Sequence, residues 1–280
     1  MSFSQRKGIK PVRKAIQIDD IDSDLRNSLW NALDIHYWQR VHTAYISIAK
    51  DVNDLIIRVW LNYFKVPIDT LSDHWSKTRA KIREYFFDCE WNEVYDFIEF
   101  IANNHPYSSL NEEFTKLCNS LLERESSAYR FVGGRIAQIT SQVEISEIEE
   151  ALQITGNLKG INTHLKTALE LFSDRKAPDY RNSMKESISA VEAICKLITG
   201  EESATLGQAL KRIENTLGLS PALKSAFSNL YGYTSGEDGI RHALHDESNL
   251  GFEDAKFFLV ACSAFVNYLV AKASKAGIKL

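Results

Sequence analysis

Apolar residues recur at spacings of three and four along almost the whole chain. That period fits amphipathic α-helices burying one stripe each in a shared core. Val52, Leu55, Ile56, Val59, Trp60 and Tyr63 form one such stripe. Leu25, Leu29 and Leu33 form another one helix earlier, with Asp22 or Ser23 as its N-cap. Ile82, Tyr85, Phe86 and Cys89 mark a third helix, and Val94, Phe97, Ile98 and Ile101 a fourth. Phe114, Leu117, Cys118, Leu121 and Leu122 mark a fifth. Glycine and proline number only 13 and 5 in 280 residues, which favours long regular elements over a loop-rich sandwich.

The back half repeats the pattern. Ile161, Leu165, Ala168, Leu169 and Phe172 predict a helix closed before Pro178. Asp179 then caps a long helix carrying Met184, Ile188, Val191, Ile194, Cys195 and Ile198, with Gly200 just past its end. Leu206, Leu210, Ile213 and Leu217 give the next, stopped by Gly218. Pro221 opens a further one with Leu223, Phe227 and Leu230, interrupted by the polar stretch GYTSGEDG. The last predicted helix spans about Phe252 to Ala271. One place breaks the period. AYRFV and RIAQIT flank Gly133-Gly134, whose positive φ a two-residue turn requires, so a small β-hairpin is predicted near residues 128–140. A short helix from Glu144 or Ser146 through Ile154 follows. All five tryptophans lie at or before Trp91, so the front half predicts an aromatic core of its own. The reading is therefore all-α with one hairpin, in two helical domains over 1–155 and 156–280.

Several function classes drop out. Net charge is −4, and neither half is a basic block, so nucleic-acid binding would need a local patch. The four cysteines never form C-x-x-C and sit in apolar helical patterns, which predicts buried reduced thiols and no zinc or disulfide framework. The start of the chain lacks an apolar signal-peptide core. Phe257 to Ala271 is interrupted by Ser263 and Asn267, which predicts a core helix and no membrane span. A cytoplasmic protein is expected. P-loop, strand-anchored G-x-G-x-x-G, H-E-x-x-H and G-x-S-x-G motifs are absent.

One stretch concentrates chemistry: Tyr231-Gly-Tyr-Thr-Ser-Gly-Glu-Asp-Gly-Ile-Arg241-His242-Ala-Leu-His245-Asp246-Glu247. On a helix Arg241 and His245, four apart, share a face. A histidine near neutral pKa can take the proton of a ribose 2′-hydroxyl or protonate a leaving oxygen. An arginine fork can stabilise the phosphorane charge. That chemistry needs no metal or other cofactor, and it selects RNA. Two blander readings stand beside it. The stretch reads equally as a solvated, salt-bridged surface, and His242-x-x-His245-Asp246 could hold a metal although no second ligand group is visible. The remaining histidines, His164 among them, show no partner pattern. Lys77, Arg79, Lys81 and Arg83 form a basic run read as one amphipathic helix face, either solvated or in contact with RNA or a partner. The basic arm from Arg6 to Lys14 carries the same ambiguity, and the Trp and Tyr stripe reads as core packing.

The back half resembles HEPN-type helical bundles. PDYRNSMKESISAVEAICKLI is similar to their first long helix, and DGIRHAL before the final apolar helix is similar to their Arg-polar-x-x-x-His stretch. The front half, through SFSQRKGIKPVRKAIQIDDIDSDLRNSLWNAL and YRFVGGRIAQIT, resembles the N-terminal domains of AbiJ-type abortive-infection proteins. The resemblance implies a metal-independent endoribonuclease in phage defence, acting as a homodimer through the C-terminal bundle, with the N-terminal domain sensing or regulating. It makes Arg241 the phosphate-stabilising residue, His242 the polar residue after it, and Glu192 the acid that orients the arginine. The spacing departs from the family's. The positions where its histidine falls hold Asp246, Glu247 and Ser248, and His245 comes after a gap of only three. Either His245 or His242 takes the catalytic role in altered geometry, or the domain is a non-catalytic module that binds RNA or a protein.

Overall fold

The computed structural model describes residues 16–41, 45, 50–174, 177–235 and 250–280, together with Phe3 and Lys7. Among these residues the architecture is all-α, eleven α-helices and one two-stranded hairpin. Contacts divide the chain into two compact units, Met1–Thr140 and Ser141–Leu280.

In the first unit, α1 (Ser23–His36) starts on Asp22, whose carboxylate accepts the amide of Leu25 at 2.9 Å. Leu25, Leu29 and Leu33 are buried as the spacing predicts. α2 (Lys50–Arg58) buries Val52, Leu55 and Ile56, then widens into a π-helical turn over Val59–Phe64 that Lys65 ends at φ 53°. A 3–4 spacing does not announce that change of pitch. α3 (Trp75–Asp88), α4 (Trp91–Asn104) and α5 (Ser108–Arg124) complete the helices. The core they enclose is aromatic: Trp30 sits 5.4 Å from Phe86, and Tyr37 5.0 Å from Phe114, ring centre to ring centre. Cys89, at the end of α3, is only half-buried, while Cys118 is fully buried.

Two long-range ties fix this unit. Arg26 of α1 directs Nη1 at the carbonyls of Phe86, Phe87 and Cys89, at 2.8, 3.1 and 2.9 Å. These are the last carbonyls of α3, which lack the backbone amide partner of a helix interior; the Cys89 thiol also approaches the Phe86 carbonyl at 3.6 Å. The second tie holds β1 (Arg130–Val132) and β2 (Arg135–Ala137), joined by Gly133 and Gly134 at φ 54° and 85°. In the central pair Phe131–Ile136 the backbone groups point away from the partner strand, and helices take them. Asn119 of α5 accepts the Phe131 amide at 2.7 Å and donates to its carbonyl at 3.0 Å. Glu99 of α4 accepts the Ile136 amide, and Asn103 donates to the Gly134 carbonyl at 2.8 Å.

In the second unit, α6 (Gln142–Ile154) begins earlier than predicted because Ser141, and no later residue, accepts the Glu144 amide as N-cap. α7 (Lys159–Ser173) and α8 (Tyr180–Thr199) pack along each other, and Ser183 donates to the Ala168 carbonyl at 2.7 Å between them. Asp179 caps α8, and Gly200 and Gly218 close α8 and α9 (Leu206–Leu217) at positive φ, as predicted. α10 (Pro221–Ser235) runs through Gly232 to Ser235, four residues into the stretch expected to interrupt it. A helix carries one glycine at a cost of about 1 kcal/mol, too little to stop it. α11 (Phe252–Lys275) extends past the predicted end. It is long and apolar enough to cross a membrane by length and composition alone. Yet Ala255, Phe258, Leu259, Cys262, Phe265, Val266 and Leu269 are buried against α8, α6 and α7. α6, placed by the sequence before a seam at 155/156, is tied to α11: Asn267 donates to the carbonyl and carboxylate of Glu147, both at 3.0 Å, and Lys256 pairs with Glu144 at 2.8 Å.

Candidate catalytic and nucleic-acid-binding residues

Arg241, His242 and His245 lie outside the described residues, in the segment between α10 and α11. Of the catalytic set, Glu192 is described. It is half-buried on α8, and its Oε1 pairs with Nζ of Lys196 at 2.7 Å, one helical turn on. The resemblance implies an arginine for it to orient, and among the described residues its cationic partner is this lysine. Its charge also adds to burial in raising the neighbouring Cys195 thiol.

A histidine–carboxylate pair that the sequence did not reveal spans α7 and α8. His164 Nδ1 stands 2.6 Å from Glu186 Oε2, with both side chains partly exposed. A carboxylate on Nδ1 fixes the imidazole's orientation and leaves Nε2 to act as acid or base. The partners are 22 residues apart, so only the register of two packed helices reveals them.

The basic run on α3 does not build one face. Residues two apart point to opposite sides of a helix. Thr78, Ile82 and Phe86 are buried between them, so Lys77 and Lys81 flank one side of the buried stripe and Arg79 and Arg83 the other. Arg79 is bound within the domain: Nη2 lies 2.7 Å from Asp34 Oδ1, and the guanidinium is 5.8 Å from the Trp30 ring centre. Arg83 lies over Phe87 at 4.5 Å and Lys81 over Trp60 at 5.4 Å, each stem covering an aromatic of the core. Lys77, Lys81 and Arg83 remain exposed, whereas Arg79 is half-buried and neutralised by its carboxylate.

Thiol chemistry has little support here. Burial pushes Cys118 and Cys195 well above the ordinary thiol range and Cys262 up to about 12. Such thiols stay protonated and unreactive at neutral pH. Among the described residues no three histidine, cysteine or acidic side chains come together to hold a metal ion.

Comparison with known proteins adds one match. No curated protein and no solved structure matches the chain. A family model described as AbiJ N-terminal domain 4 matches residues 1–153, which takes in the whole first unit, the hairpin and nearly all of α6. The match covers more than half of the sequence, and the chain belongs to the AbiJ N-terminal domain 4 family of abortive-infection proteins.

Proposed function

We propose that the protein is a phage-defence effector whose C-terminal helices, over 156–280, form a HEPN-like bundle with metal-independent endoribonuclease activity. The observation that carries the reading is membership of an abortive-infection family through the first 153 residues. It is joined to an all-α second unit whose sequence between α10 and α11 holds Arg241, His242 and His245. In the reaction one of these histidines removes the ribose 2′-proton. The 2′-oxygen attacks the adjacent phosphorus, Arg241 neutralises the phosphorane oxygens, and the 5′-oxygen leaves with a proton from an acid. The products are a 2′,3′-cyclic phosphate and a 5′-hydroxyl. The bundle works as a homodimer, which the exposed Leu197 and Phe257 on its surface support. Lys77, Lys81 and Arg83 supply the phosphate contacts of the first domain, which serves as the regulatory half.

A second reading is a non-catalytic binding module. It is favoured by the short gap from Arg241 to His245 and by the pairing of Glu192 with Lys196. Purified protein incubated with tRNA and EDTA separates the two. Fragments ending in 2′,3′-cyclic phosphate, made by the wild type and absent with Arg241→Ala, are the expected result. No cleavage of tRNA, ribosomal RNA or phage RNA by the wild type would leave the binding module. Light scattering that gives a monomer at micromolar concentration would count against the dimer.

A further inference from the structure

Helix α11 is apolar on more sides than the one it buries. Phe258, Cys262, Phe265, Val266 and Leu269 face the core of the second unit. Lys256 and Asn267 take the side of α6, where they hold Glu144 and Glu147. Less than half of the most apolar stretch of α11 is buried inside the chain. A helix that is apolar on several sides is ordinarily covered on all of them. Among the described residues one stripe of α11 lacks that cover: Phe257, Val260, Ala264, Tyr268 and Ala271, with Glu253 before it and Lys275 after it. Glu253, Phe257, Ala271 and Lys275 are exposed, and Val260, Ala264 and Tyr268 are half-buried.

The order of the stripe selects its partner. From Glu253 to Lys275 its members follow one another by four, three, four, four, three and four residues. The mean step of about 3.7 residues matches a helical turn, so the stripe keeps to one side of α11 over about 33 Å. The series also reads the same from either end, with Ala264 at its middle. A second copy of α11, antiparallel on a two-fold axis through Ala264, therefore sets each member against another member. Phe257 falls opposite Ala271 of the other copy, Val260 opposite Tyr268, and Glu253 opposite Lys275. Large side chains meet small ones, and the acidic first turn meets the basic last turn. At the axis Ala264 meets itself, and a side chain that small lets two helices approach to about 8 Å. Each contact occurs twice, as a two-fold interface requires. An anionic membrane surface has no such match, since it would repel Glu253.

We propose that this stripe is the surface on which two copies of the chain join, α11 packing antiparallel on its counterpart about Ala264. The face rests on the homodimer proposed above and gives that dimer its contact, but it owes nothing to RNA cleavage.

Analytical ultracentrifugation of the whole protein at micromolar concentration tests it, together with oxidation of variants that add one cysteine. The wild type should sediment as a dimer. Phe257→Glu, at an exposed position, should raise the dimer dissociation constant at least about a hundredfold, because two phenyl rings leave each interface. Glu253→Lys and Lys275→Glu should each weaken the dimer about tenfold, and the two exchanges together should restore it. Ala264→Cys should form an intermolecular disulfide under mild oxidation. Ser274→Cys should not, because the antiparallel register sets its two copies about 30 Å apart. If Phe257→Glu fails to fold, the charge exchange decides. A dimer that survives Phe257→Glu, or single exchanges that the double exchange does not rescue, overturns this face and leaves the homodimer standing. Cross-linking of Ser274→Cys but not of Ala264→Cys does the same. A monomeric wild type overturns both the face and the homodimer, and if that monomer sediments with phosphatidylserine vesicles the stripe belongs to a membrane surface.

Discussion

Replacing Arg26 with methionine should destabilise the first unit by about 2 kcal/mol, the lower part of the range for hydrogen bonds to a charged group. Methionine keeps an unbranched apolar stem and removes only the guanidinium. The loss comes from three carbonyls at 2.8–3.1 Å that share one nitrogen at the C-terminal end of α3. Only two N–H groups serve them, so three full bonds cannot be counted. The attraction between the cation and the negative end of the helix adds about 0.3–1 kcal/mol. Rehydration of the carbonyls of half-buried Phe87 and Cys89 returns part of the sum, which keeps the total near 2 and away from 4. The assay is selective by construction. Trp30, Trp38, Trp60, Trp75 and Trp91 are all the tryptophans and all lie in the first unit, so their emission during urea unfolding reports that unit alone. With a urea slope of about 2 kcal/mol/M, the midpoint should fall by about 1 M at unchanged slope. Arg26→Lys, which keeps the charge but not the fork, should fall roughly half as far. A methionine variant whose tryptophan midpoint stays at the wild-type value would refute the reasoning, because the carbonyls would then be satisfied without the arginine.

Burial raises the phenol of Tyr85 to about 12 and that of Tyr63 further still, the hydroxyl pair adding to the latter. A folded-state pKa above the unfolded value favours the protonated form, so this contribution is complete below pH 10 and is lost as pH rises through 12. Alkaline titration should show the tyrosinate absorbance of these two residues appearing together with loss of tryptophan-reported structure, and a Tyr63→Phe, Tyr85→Phe double variant should separate the two events. Iodoacetamide at pH 8 should label half-buried Cys89 first, leaving Cys118, Cys195 and Cys262 unlabelled until urea unfolds the chain. Peptide mapping that finds Cys262 modified in native protein would contradict its burial.

Features set by near neighbours in sequence were the legible ones. Asp22 and Asp179 cap helices because a short carboxylate reaches an amide three residues on, and Gly200 and Gly218 end helices because they tolerate positive φ. The hairpin followed from two adjacent glycines. Features set by register between distant segments were not legible. His164 meets Glu186 only because α7 and α8 align, and Arg135 reaches Glu99 only because the hairpin docks on α4. The split of the basic run lies between these cases. Its every-second-residue spacing sets the side chains on opposite sides of one helix, and Phe87 under Arg83 is one turn on in the same helix, but the rings beside Arg79 and Lys81, Trp30 and Trp60, come from other parts of the fold. The resemblance of the front half was carried by a long stretch of sequence and is matched by the family model, whereas the catalytic stretch rests on a few residues outside the described structure.

The hairpin has a consequence for recognition. An open ribbon of two strands normally offers its outer amides and carbonyls as a template on which a third strand can add, a common route both to peptide capture and to aggregation. Here Asn119 covers the outer side of Phe131 and Glu99 the outer side of Ile136, each from a helix of the same domain. Sheet extension at this central pair is therefore closed, and any molecule that engages this part of the domain must do so through side chains.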